Sequence, residues 1–116
     1  MANRARGEVD VEICGKTYTL RPTFTVIAGI ETALNEGVLP LAQKISDGSI
    51  KMLSLATILL IALKDQEGTP NLEAIGQDMM ARGHKTFLEP VGLFLLAAVS
   101  GLNKPASGGA GGAGEP

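Results

Sequence analysis

The sequence has no tryptophan, one tyrosine, three phenylalanines, one histidine and one cysteine in 116 residues. Each scarcity closes a route to function. Without an aromatic platform, single-stranded nucleic acid has nothing to stack on. With a formal net charge of -2 there is no basic surplus to offset phosphates, so a nucleic-acid partner is not expected. One cysteine cannot close an internal disulfide, which fits a reducing cytoplasm. One histidine and one cysteine do not supply the three or four clustered ligands that a metal site needs.

The single reactive groups are also badly placed for catalysis. Cys14 lies beside a turn and His84 between Gly83 and Lys85, and a thiol nucleophile needs a histidine oriented toward it. Asp47, Asp65, Glu67 and Asp78 fall in loops or on solvated faces, with no pair spaced for acid–base work. The glycine-rich run at 108–114 has neither the preceding strand nor the Lys-Ser/Thr of a phosphate loop. The expectation is a non-enzymatic protein with no cofactor, no metal and no small-molecule substrate.

Long apolar runs are missing too. Met52 to Leu63 and Phe87 to Leu102 each fall short of the roughly 20 residues that cross a bilayer, and Glu89, Pro90 and Ser100 interrupt the second. The arginines near the start have no apolar stretch behind them, so no secretory signal is read there. No membrane association is expected.

What is present is a pattern of alternating and helical apolar residues. Val9, Val11 and Ile13 alternate with Glu8, Asp10 and Glu12, the period of a half-buried strand. A turn at Gly15-Lys16 pairs Ile13 with Tyr18 and Val11 with Leu20; a turn at Cys14-Gly15 preserves the same faces. Pro22 ends the second strand and Thr23 caps a helix, whose stripe is Val26, Ile27, Ile30, Ala33 and Leu34, with Gly37 closing it. A short helix from Pro40 to Asp47 follows, carrying Leu41 and Ile45.

Ser49 is placed as the cap of a third helix to about Lys64, apolar nearly all round and therefore central. A fourth runs from Asn71 or Leu72 to Arg82, closed by Gly83. Thr86 and Glu89 match a capping box for a last apolar helix to Leu102, with Gly92, Ala97 and Ala98 permitting close approach. The fold class expected is α+β, mostly α: an N-terminal β-hairpin, then four to five helices. Residues 1–6 read as a flexible start, 7–102 as one domain, and the Gly/Ala-rich 103–116 as a disordered tail.

Two nearly all-apolar helices and one apolar hairpin face are more than so small a domain readily hides. The surplus predicts a protein that binds proteins and forms a homo-oligomer through the hairpin face or the last helix. Leu93, Phe94 and Leu96 are the expected surface for a partner helix, with Met79 and Met80 as an adaptable margin.

The run GEVDVEICGKTYTLRPTFTVIAGIE resembles the start of the phage tail assembly chaperones of gene transfer agents and related prophages. The resemblance is carried by Gly7, Glu8, Gly15, Tyr18, the run Leu20 to Phe24, and the pair Ile30-Glu31. It extends over residues 7 to 64. It implies a non-enzymatic cytoplasmic protein that binds the tape measure protein and tail tube subunits during assembly and then leaves the particle. Some members of that family are labelled tail tube proteins, so a structural tail tube or minor tail subunit is the alternative. A holin-like membrane protein is the remaining one.

Overall fold

The computed structural model describes residue 3 and residues 6–100. Two strands, β1 (Val9–Ile13) and β2 (Lys16–Leu20), precede five helices: α1 (Phe24–Leu34), α2 (Val38–Ser46), α3 (Met52–Ala62), α4 (Leu72–Arg82) and α5 (Lys85–Ser100). The expected hairpin-plus-helices architecture is therefore the observed one. The tail at 103–116 lies outside the described residues. None of the described helices is long and apolar enough to cross a membrane.

The hairpin pairs Val9 with Leu20, Val11 with Tyr18 and Ile13 with Lys16. The turn is thus Cys14-Gly15, and the Gly15-Lys16 alternative with its Ile13–Tyr18 pairing is not adopted. Both turn residues have positive φ, 53° and 81°, which a two-residue turn of matching twist requires. The apolar faces survive the shift, because each residue's partner moves by two and the side-chain period is two. Val9, Val11, Ile13, Tyr18 and Leu20 are all buried, with β1 against α5. The hairpin face is consumed inside the molecule, so it is not a surface for a second chain.

The free edge of β2 is covered by a side chain. Gln66 accepts from the Thr19 N–H at 3.3 Å and donates to the Thr19 carbonyl at 2.7 Å, as a neighbouring strand would. Tyr18 Oη donates to Gly68 O at 2.9 Å and Lys16 Nζ to Glu67 O at 3.2 Å. The loop after α3 is therefore laced to β2 and closes an edge that would otherwise recruit other strands.

Thr23 caps α1 as expected, accepting from the Val26 N–H. Asn35, not Gly37, ends it in the left-handed region. Gly37 instead starts α2, and the Glu31 carboxylate supplies the missing cap by accepting from the Val38 N–H at 2.9 Å. Ser49 does not cap α3; its hydroxyl and N–H both bind Asp47, and Lys51 takes the cap position. Thr86 does not cap α5 either. The helix begins at Lys85, and the Thr86 hydroxyl donates to Arg82 O at 3.0 Å. Asn71 caps α4 through Ala74 N–H, and Gly83 follows it with φ 86°.

The core gathers Leu55, Ile58 and Leu59 of α3 with Ile30, Ile75, Phe87, Val91 and Phe94 from the surrounding helices. A β-carbon on Gly92 would meet Ile45 Cγ2 at 3.2 Å, which is how closely α2 and α5 pack. The close approach that small residues on α5 permit is thus an internal one.

Candidate functional site

Burial divides the five expected contact residues between core and surface. Phe94 and Met79 are fully buried and present no surface at all. Phe94 faces inward because it lies on the same stripe as Phe87 and Val91, the face that α5 turns to the core. Leu93, Leu96 and Met80 are exposed, the last two at 54% and 70%. They do not form one patch. Leu93 and Leu96 line a groove between α2 and α5, while Met80 lines another between α3 and α4.

The first groove has a volume of about 460 Å³, walled by Ala42, Ile45, Leu88, Leu93 and Leu96, with Glu89 at its side. The second, of about 570 Å³, is walled by Met52, Leu53, Leu72 and Met80, floored by Ala56 and Gly76, and flanked by Glu73. Leu53 is 65% exposed although it belongs to the most apolar helix of the chain. Met52 and Leu53 escape sequence reasoning because α3 is apolar on every side, so periodicity cannot say which residues face out. Phe24 at the start of α1 and Leu39 on α2 are also exposed.

The hairpin turn is fastened to α4 through residues that line neither groove. The Cys14 N–H donates to Asp78 Oδ2 at 2.9 Å, and Cys14 Sγ lies 3.6 Å from Ala74 O. Arg82 binds both carboxylate oxygens of Asp78 and donates to Glu12 O at 2.6 Å. The Arg82 hydrogen bond, with that from Cys14 N–H, holds the Asp78 carboxyl below the usual carboxylate range. Burial, then the negative charge of Asp78, pushes the Cys14 thiol up. This turn is a structural clamp, and the cysteine's partners are on α4. No group of three or more His, Cys, Asp or Glu is gathered for a metal among the described residues.

The residues that carry the family resemblance are occupied by the fold. Gly7 has φ 78°, and a β-carbon there would lie 2.7 Å from Ala97 Cβ. Glu8 is buried, accepts from the Asn3 N–H at 3.0 Å and pairs with Arg21 at 3.5 Å. Ile30 is in the core and Glu31 caps α2. Phe24 is the exception, 86% exposed.

Neither the curated proteins nor the solved structures include a match to this chain. A family model does match, over residues 6–101, which takes in the hairpin, all five helices and both grooves. The chain belongs to the gene-transfer-agent phage tail family described as Phage tail tube protein, GTA-gp10.

Proposed function

We propose that this chain is a tail assembly chaperone: a non-enzymatic protein that holds the tape measure protein and tail tube subunits during assembly and does not remain in the particle. The observation that carries the reading is a helical molecule with two open apolar grooves and, among the described residues, one hairpin whose β2 edge is met at Thr19 by Gln66. A long apolar helical protein aggregates unless its apolar stripe is covered, and a groove between two helices is the natural cover. Self-association belongs to the same proposal, with Phe24, Leu39 and Val99 as the exposed large apolar side chains outside both grooves among the described residues.

The description printed for the family favours a second reading, a structural tail tube subunit. Tube subunits build a ring lined by sheet, which needs strand edges to pair between copies. Here the edge of β2 at Thr19 is satisfied by Gln66, and the hairpin has two strands. Quantifying this chain in purified particles separates the readings. A chaperone is absent or at trace level; a tube subunit is present in many copies per particle.

A further inference from the structure

Three of the described glycines lie inside helices, and two have an internal reason. A β-carbon on Gly29 would meet Ile61 Cγ2 at 3.3 Å, and one on Gly92 would meet Ile45 Cγ2 at 3.2 Å. Gly76, in the middle of α4, has none: a β-carbon there would find nothing within 4 Å. Glycine in a helix interior weakens the helix relative to alanine. Among the described residues no close packing accounts for it. Gly76 is, however, part of the floor of the α3–α4 groove, with exposed Leu53 and Met80 standing at its sides.

The chemistry of an occupant follows from the walls. Side chains of two helices form them, and the interior backbone groups of those helices are already hydrogen-bonded to one another. An extended peptide would bury backbone polar groups here without partners, so the occupant must satisfy its own, as a helix does. Leu72 to Met80 on α4 spans about 12 Å at 1.5 Å per residue, enough for about two turns of a docked helix. The methionines at positions 52 and 80 suit an irregular apolar knob.

Charge selects between a foreign helix and a second copy. Glu73 flanks this groove; it receives a 3.5 Å hydrogen bond from Gln77 Nε2 and enters no ion pair among the described residues. The other apolar groove carries Glu89. Pairing the grooves of two copies would set carboxylate against carboxylate, whereas a helix flanked by lysine or arginine meets both favourably.

We infer that the groove floored by Gly76 accepts the apolar stripe of a partner α-helix with basic flanks, a large side chain of that helix seating over Gly76. This rests on the chaperone reading and names the surface that reading uses.

The test uses the full chain and its Gly76→Leu variant, which fills the floor with a good helix former. The probes are two amphipathic peptides of about 20 residues, beyond the length at which isolated helices are marginal, with one leucine stripe and either lysine or glutamate flanks. The lysine peptide should bind the natural chain at least ten-fold more tightly than the glutamate peptide. Gly76→Leu should weaken it at least ten-fold while the melting temperature holds or rises. Equal binding of the two peptides, or binding indifferent to Gly76→Leu, overturns the inference. So does a dimer of the natural chain that Gly76→Leu dissolves, since a second copy would then own the groove. Capture of the tape measure protein by both forms sinks the groove and spares the chaperone reading; capture by neither, with peptide binding intact, does the reverse.

Discussion

The backbone N–H of Cys14 donates to the carboxylate of Asp78 across 64 residues of sequence, at 2.9 Å, and so fixes the hairpin turn on α4. Arg82 completes the clamp from the next turn of the same helix. Asp78→Asn should cost about 1–2 kcal/mol, since charge-assisted hydrogen bonds are lost but Arg82 is partly solvated.

The same carboxylate gives a pH dependence with a definite sign. Its folded-state pKa lies below the ordinary value of 3.8, so its stabilisation is complete above that value and is lost as pH falls through the lower one. Urea midpoints of the natural chain should therefore drop on acidification below about pH 4. The Asp78→Asn midpoint should start lower and fall less over that window. Parallel acid profiles would remove Asp78 from the account.

Gln66→Ala should expose the edge of β2. The Thr19 amide, now bonded to Gln66 Oε1, should exchange with solvent faster, at a global cost of about 1 kcal/mol. Hydrogen exchange followed by NMR reads this directly, and an unchanged Thr19 rate would mean that the edge is covered by something other than Gln66.

Gly7→Ala and Gly92→Val probe the two tight approaches to α5. Gly7 combines a positive φ with a 2.7 Å clash against Ala97 Cβ, and Gly92 has Ile45 at 3.2 Å. Each substitution should destabilise by about 1–3 kcal/mol. Gly76→Leu, by contrast, should not. Equal losses at all three would show that the open space over Gly76 is closed in solution.

The contrast between Phe94 and Leu96 shows what was legible in the sequence. Element order, the Thr23 cap and the apolar hairpin face follow from alternation, helical period and capping chemistry, whereas the Asn71 cap of α4 was not singled out. Boundaries were missed where a side chain reached beyond its own turn. Glu31 caps α2 from the preceding helix, and Ser49 is taken by Asp47. Exposure was only partly legible: of the five expected contact residues Leu93, Leu96 and Met80 are outside, Phe94 and Met79 inside. On a helix as apolar as α5 the pattern does not mark the outward stripe, and the grooves depend on which helices pack together. Phe94→Asp should therefore unfold the domain, because an unpaired carboxylate would be buried. Leu96→Asp should leave stability within about 0.5 kcal/mol. Circular dichroism with thermal melts distinguishes the two outcomes.

Co-expression with the tape measure protein tests the chaperone role. A chaperone should give a soluble complex of the two proteins that co-elutes in size-exclusion chromatography, while the tape measure protein expressed alone precipitates. A tape measure protein that stays insoluble beside abundant, folded and unbound copies of this chain would contradict it.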